Sequence, residues 1–144
     1  MNEINIKTVD EAELSAAYHL LHELRNHLDN LTFVSRLRRQ SEQGYRLYGA
    51  FCDRLLVGLI GMRPVETMAR GRHLHVDDLI VAPSWRGRGI GMKLLEFAEQ
   101  HAKDQGLTAV FLDSRQEAIC FYQKLGFTFH TAPLMRKGLF GGKS

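Results

Sequence analysis

The chain has 144 residues, 44% of them hydrophobic, and its cysteines Cys52 and Cys120 are isolated, which suits one domain over residues 1–144 without a disulfide framework. The formal net charge is only +3 and no long basic run accompanies it, which argues against a nucleic-acid-binding protein. No apolar run is long enough to cross a bilayer and residues 1–10 do not resemble a signal peptide, so we expect a soluble cytoplasmic protein without membrane contact.

The first part of the chain predicts one strand followed by two helices. Residues 4–9 alternate as an edge strand does, and residues 11–25 carry apolar side chains at helical spacing. A second, shorter amphipathic helix is predicted over residues 32–43. That helix carries the densest basic cluster of the chain, which we interpret as a solvated face: Arg36, Arg38 and Arg39.

Three strands are predicted next. Residues 45–52 and 55–65 are apolar runs joined by a short polar turn, as in a hairpin. Gly58 and Gly61 interrupt the second run, which indicates a β-bulge or a close approach of another group. After a polar loop, residues 73–81 form the third of these strands.

The remaining elements alternate between helices and strands. A helix opens near Gly89 and ends at Gly106, a short strand covers residues 109–112, and a helix covers residues 116–125. Residues 127–136 are predicted as a last strand. The order β-α-α-β-β-β-α-β-α-β predicts an α/β (α+β) fold in which helices flank a mixed central sheet.

The turn between the third of those strands and the long helix has the composition of an anion site. In residues 76–92 (VDDLIVAPSWRGRGIGM) an apolar strand ends at Pro83, and glycines then alternate with other residues up to the helix. The first backbone N–H groups of a helix have no partner inside it, and the helix dipole places partial positive charge there. Arg86 and Arg88 add full charges, so we expect the turn to bind a phosphate-bearing cofactor.

Other glycine-rich motifs fit this turn less well. A P-loop needs Lys and Ser or Thr directly after its last glycine, whereas Met92 and Lys93 follow Gly91. A dinucleotide-binding turn is closer, because Asp113 ends the next predicted strand, but it would need glycine at Met92.

The spacing R-x-x-G-x-G of Arg86, Gly89 and Gly91 resembles the pyrophosphate motif of the GNAT superfamily of acyl-CoA N-acetyltransferases. A second block, residues 118–127 (AICFYQKLGF), resembles the closing A-x-x-x-Y-x-K-L-G-F segment of that family. The two blocks occur in the family's order, and its layout fits the chain from the first strand to about Lys137. The resemblance implies a GNAT-like sheet and acetyl-CoA as cosubstrate.

The resemblance also implies which residues contact the cofactor. The strand backbone at Leu79, Ile80 and Val81 would pair with the pantetheine arm, and Tyr122 would contact the sulfur. Arg115 stands where many relatives have an asparagine that contacts the cofactor, so it would reach a CoA phosphate or the acceptor instead. The turn that would bind the pyrophosphate consists of Arg86, Gly87, Arg88, Gly89, Ile90, Gly91 and Met92.

Two residues are candidates for catalysis by the same resemblance. A carboxylate on the strand, Asp77, would assist loss of the amine proton, directly, through water or by attracting the ammonium group. Tyr122 would assist departure of the CoA thiolate. Adjacent strand residues point to opposite faces, so Asp77 and Asp78 are not expected to act as a dyad, although either could be the base.

The acceptor stays open at this level. The D-D-L sequence of the strand resembles that of polyamine acetyltransferases, and this resemblance favours a small primary amine, such as a polyamine or an amino-acid-like compound. Amino acids, antibiotics and protein N-termini stay open as acceptors. A non-catalytic acyl-CoA sensor and a metal enzyme that uses His73, His75 and Asp77 are the competing functions; no metal is expected. Homodimers are common in the resembled family.

Overall fold

The computed structural model describes residues 3–130 and 132–140, which fall into two compact units. The first unit ends at Asp113 and contains a sheet and three helices; the second begins at Ser114 and contains one short helix. No helix in the described part of the chain is both long and apolar enough to span a membrane.

The first unit is built on a mixed sheet in which the described strands follow their chain order. Its neighbours pair antiparallel up to β4, and β4 pairs parallel with β5. This agrees with the predicted mixed sheet flanked by helices. The strands are β1 (Ile4–Thr8), β2 (Arg46–Cys52), β3 (Leu55–Thr67), β4 (Gly71–Val81) and β5 (Val110–Leu112).

Side-chain caps start the first two helices, and the second begins two residues before its predicted start at residue 32. Asp10 forms a capping box with Glu13 at a 3₁₀ turn (Glu11–Glu13), which leads into α1 (Leu14–Leu24). Asp29 accepts a hydrogen bond from the backbone N–H of Thr32 at the start of α2 (Asn30–Glu42). The third helix, α3 (Ile90–Asp104), is followed two residues later by Gly106, whose φ of 72° is the left-handed conformation that glycine tolerates.

The helices of the first unit cover both faces of the sheet. Leu47 and Leu59 pack into one core cluster with residues of α1 and α2. Gly58, next to Leu59, points to the opposite face, where a Cβ would lie 3.1 Å from Ile90 and Leu94 of α3. The close approach predicted at Gly58 is therefore a helix packed against the strand.

The second unit corrects one prediction. It contains a 3₁₀ turn (Gln116–Ala118) and α4 (Ile119–Lys124), as expected, but residues 127–130 and 132–136 form no strand, and Thr131 lies outside the described residues. Phe129 and Leu134 are 72% and 87% exposed. An apolar sequence predicts a strand only if a neighbouring strand and a buried face receive it, and these side chains have no such burial.

Candidate active site

The glycine-rich turn leads into α3, and the backbone N–H groups at the start of this helix have no side-chain cap. Gly87 and Gly89 have φ values of 79° and 80°, a conformation that other residues adopt only with strain. No side chain caps the helix, and its first internal hydrogen bond runs from the Lys93 N–H to the Gly89 carbonyl at 3.0 Å. The N–H groups of the first turn therefore have no partner inside the helix. The Ile90 side chain is buried and anchors this end of α3.

Two arginines stand beside these donors. The Arg86 Nε donates a hydrogen bond to the Val81 carbonyl at 3.2 Å, and the Arg88 guanidinium lies 4.5 Å from the centre of the Trp85 ring. Both side chains are exposed, as is Met92. An uncapped helix start, two left-handed glycines and two guanidinium groups suit a pyrophosphate, so the turn fits the cofactor that the sequence predicts.

The sheet is open beside the second half of β4. β5 pairs only with Leu74–Val76, whereas β4 continues to Val81. From Asp77 onward, β4 pairs with β3 on one side. On its other side no strand of the described residues (3–130 and 132–140) pairs with it. An open strand edge can pair with an extended ligand, so the backbone at residues 79–81 is available for the pairing expected there.

A β-bulge changes the direction of the two neighbouring aspartates. Gly61 pairs with Asp78 and Met62 pairs with Val76, so Asp77 is an extra residue on β4. Asp77 contacts Arg63 and His75, which pair with each other across β3 and β4. Asp78 contacts the Tyr45 hydroxyl, which a Cβ on Gly61 would overlap, and Gly61 lies two residues from Arg63 on the same face of β3. The expectation that Asp77 and Asp78 point to opposite faces is wrong, because simple alternation fails at a bulge.

Asp77 is held by an arginine of the neighbouring strand. The Arg63 Nε donates to one carboxylate oxygen at 2.8 Å and the Arg63 Nη2 donates to the other at 3.3 Å. The His75 Nε2 lies 3.8 Å from the second oxygen. Both oxygens of Asp77 therefore accept hydrogen bonds from the Arg63 guanidinium, which fixes the orientation of the carboxylate.

Asp78 is held by two different groups. The Tyr45 hydroxyl donates to one oxygen at 2.7 Å, and the Arg25 Nε donates to the other at 3.2 Å. Burial and the neighbouring Asp78 charge raise the pKa of the Tyr45 phenol well above its ordinary value. Gly61 leaves room for this contact, since a Cβ there would overlap the Tyr45 hydroxyl. Gly61 thus marks both a bulge and a close approach, as its position in the strand indicates.

The two carboxylates open into a cleft of about 480 Å³ between the helices α1 and α2 and the sheet. The sheet side of the cleft and the end of β5 contribute Tyr45, Asp77, Asp78 and Asp113. The helical side contributes Leu21, Arg25, His27, Leu28, Phe33, Arg36, Leu37, Arg39, Gln40 and Gln43. The interpretation of Arg36 and Arg39 as a merely solvated helix face is incomplete, because both are exposed and also line this cleft.

The histidines of β4 contact different groups. His73 is buried, its ring centre lies 4.7 Å from that of Phe111, and its Nδ1 lies 3.1 Å from the Gly71 carbonyl. The His75 Nε2 lies 3.8 Å from the Asp77 Oδ1 and 3.6 Å from the Asp113 Oδ2. The described residues include no group of three or more His, Cys, Asp or Glu side chains placed to bind a metal.

The second unit contains the other two predicted site residues. Tyr122 lies in α4, half-buried, with its ring centre 5.2 Å from that of Phe121 and 5.7 Å from that of Phe127. Burial raises the pKa of the Tyr122 phenol above its ordinary value. Arg115 precedes the 3₁₀ turn, and its Nη1 lies 3.9 Å from the Glu117 Oε1.

Sequence reasoning missed four of the residues that shape this site: Arg25, Tyr45, Arg63 and, as a cleft residue, Asp113. Arg63 had a signal, because an arginine inside an apolar strand needs a buried or half-buried anion as a partner. Arg25 and Tyr45 had none, because their contacts with Asp78 join positions 53 and 33 residues apart in the chain.

Known proteins resemble this chain over most of its length. A family profile described as "Acetyltransferase (GNAT) family" matches residues 10–127. The uncharacterised N-acetyltransferase YhdJ of Bacillus subtilis is 32% identical, over 83% of this chain and 87% of its own. Glucosamine 6-phosphate N-acetyltransferase of Trypanosoma brucei is 28% identical, over 89% of this chain and 91% of its own.

A solved structure gives the same fold. The aminoglycoside N-acetyltransferase AAC(6')-Iy in complex with CoA superposes with a TM-score of 0.81, covering 96% of both chains at 14% identity. The sheet, the uncapped helix after β4 and the matching family profile agree with one another. The chain belongs to the GNAT family of acetyltransferases and is an acyl-CoA N-acyltransferase.

Proposed function

We propose that the protein transfers an acetyl group directly from acetyl-CoA to the primary amine of a small molecule. One observation carries this proposal: the bulge turns Asp77 and Asp78 into a cleft at the point where β4 loses its neighbouring strand. The cleft volume of about 480 Å³ is in the range typical of small-molecule sites. A relative named for glucosamine 6-phosphate, similar over nearly its whole length, also supports a small amine.

The residues of the glycine-rich turn and of the open strand edge bind the cofactor in this proposal. Acetyl-CoA supplies the activated acetyl thioester when it is bound. The backbone N–H groups at Ile90, Gly91 and Met92 and the charges of Arg86 and Arg88 hold its pyrophosphate, with Gly87 and Gly89 providing the backbone shape. The backbone of Leu79, Ile80 and Val81 aligns the pantetheine arm, and Arg115 binds a phosphate.

Asp77 assists loss of the amine proton. Removing a proton from an amine with an ordinary pKa near 10.4 costs roughly 4 to 5 kcal/mol at pH 7. Because Arg63 already engages both oxygens of Asp77, the carboxylate acts by accepting a hydrogen bond from the ammonium group and so orienting it, and the proton leaves through water in the open cleft. Asp78 holds Arg25 and Tyr45 in place and thereby supports the bulge.

Tyr122 stabilises the leaving thiolate. A phenol with a raised pKa is a weaker acid than a thiol with an ordinary pKa near 8.5, so complete proton transfer from Tyr122 is uphill. A hydrogen bond from the phenol O–H to the developing charge on sulfur is favourable without such transfer. This is the contribution that we assign to Tyr122.

Thiol release from acetyl-CoA tests the proposal. Purified protein is mixed with acetyl-CoA and, in turn, with amino sugars, amino acids, polyamines, aminoglycosides and peptides carrying a free N-terminus. Amine-dependent release with a small molecule is the expected result. Release with peptides alone would replace the small-molecule acceptor by a protein N-terminus, and calorimetric binding of acetyl-CoA without any release would favour a sensor.

A further inference from the structure

One face of α2 presents four polar side chains to the cleft. Arg36, Arg39, Gln40 and Gln43 are spaced three, four and seven residues apart, which places them on one side of the helix and its C-terminal end. The side chains of Arg36 and Arg39 are exposed and form no hydrogen bond or ion pair within the described part of the chain. The cleft therefore has two guanidinium groups available for a ligand.

The carboxylates of the cleft are already neutralised by other residues. Arg63 pairs with Asp77 and Arg25 pairs with Asp78, so neither aspartate offers an uncompensated negative charge. The remaining acidic side chain, Asp113, is 77% exposed and therefore well screened by solvent. A polyamine with several positive charges would find little unpaired negative charge here, and it would meet Arg36 and Arg39 as like charges.

We propose that the acceptor is an amine that also carries an anionic group, a phosphate or a carboxylate, and that Arg36 and Arg39 bind this group. The inference rests on the proposed function, because it assigns the acceptor end of the same site. Guanidinium groups bind planar arrays of oxygen atoms through paired N–H donors, and the side-chain amides of Gln40 and Gln43 add further donors. The amine end of the acceptor then lies toward Asp77.

Matched pairs of acceptors isolate the anionic group. Glucosamine 6-phosphate is compared with glucosamine, and lysine is compared with cadaverine, its counterpart without the carboxylate; spermidine represents the polyamines. Initial rates of thiol release from acetyl-CoA give kcat/KM for each compound. We expect the anionic member of at least one pair to be preferred by about tenfold or more, and the pair that shows the preference identifies phosphate or carboxylate as the group that is bound.

Arginine variants locate the binding group on α2. Arg36→Gln and Arg39→Gln remove one charge each from the cleft, and Arg38→Gln removes the same charge from the same helix at an exposed position that does not line the cleft. We expect the first two variants to lose about tenfold in kcat/KM for the acceptor with the anionic group, chiefly through KM, and to change little with its counterpart without that group. Arg38→Gln should stay within about twofold of the wild type for both.

Each other outcome has a definite meaning. Equal or better acetylation of the amines without an anionic group, or the same response from all three arginine variants, would overturn the anionic subsite while leaving the small-molecule acetyltransferase intact. Calorimetric binding of acetyl-CoA without acetylation of any acceptor, with or without an anionic group, would overturn the proposed function and the subsite together. Circular dichroism of the three variants, all changed at exposed positions, controls for loss of fold.

Discussion

Removal of the Tyr45 hydroxyl tests how much this group stabilises the bulge and its carboxylates. Tyr45→Phe keeps the ring in the core and removes only the hydrogen bond to Asp78 at 2.7 Å. A hydrogen bond to a charged group contributes about 2 kcal/mol, and no cavity forms because the ring remains. We expect the free energy of unfolding to fall by about 2 kcal/mol at pH 8, which lowers the melting temperature by roughly 7 °C for a chain of this size.

Alkaline pH should destabilise the wild type more than Tyr45→Phe, which gives a second test of the same contact. The Tyr45 phenol ionises near pH 10 in the unfolded chain, whereas burial and Asp78 raise its pKa in the folded protein. The stabilising contribution of a group with a raised folded pKa is complete below its unfolded pKa and is lost as the pH rises toward the folded value. The wild type should therefore lose about 1.4 kcal/mol per pH unit above 10 that Tyr45→Phe does not lose.

Guanidinium denaturation at pH 8 and pH 11 measures both effects. Tyr48→Phe is the matched control, because Tyr48 is a half-buried tyrosine of β2 whose hydroxyl makes no hydrogen bond within the described residues. The free energy of unfolding of Tyr45→Phe should be about 2 kcal/mol below that of the wild type at pH 8 and less than about 1 kcal/mol below it at pH 11. A deficit below about 0.5 kcal/mol at pH 8, or one that is the same at both pH values, would refute this account of Tyr45.

Three further predictions concern the site. Gly89→Asp should abolish acetyl-CoA binding measured by calorimetry. Gly71→Asp is the control, because Gly71 is another left-handed glycine with open space around it, and this variant carries similar strain but should still bind acetyl-CoA. Equal loss of binding in both variants would exclude a specific role of the turn at Gly89. Tyr122→Phe should lower kcat at least about tenfold with acetyl-CoA affinity unchanged, and an unchanged kcat would remove Tyr122 from its role. Asp77→Asn should lower kcat about a hundredfold, and full activity would contradict its part in amine deprotonation.

The cofactor-binding half of the site is readable from the sequence because its determinants are local. Arg86, Gly87 and Gly89 stand within one turn, and an apolar strand followed by glycines and a helical pattern specifies where the backbone N–H groups point. The same local patterns give the mixed sheet and the bounds of α3 to within two residues. The last strand was predicted wrongly at residues 127–136, because strand formation depends on a partner that sequence alone does not supply.

The acceptor half depends on contacts between distant parts of the chain. Alternation along β4 separates Asp77 from Asp78, but the bulge opposite Gly61 brings both to one face. That arrangement requires Arg25 and Tyr45 to reach Asp78 from elements far away in the sequence. The sequence therefore determined the local anion site at the start of α3. Only the tertiary structure decided which charges are paired and which stay available, because pairing is set by distances between elements and not by spacing along one of them.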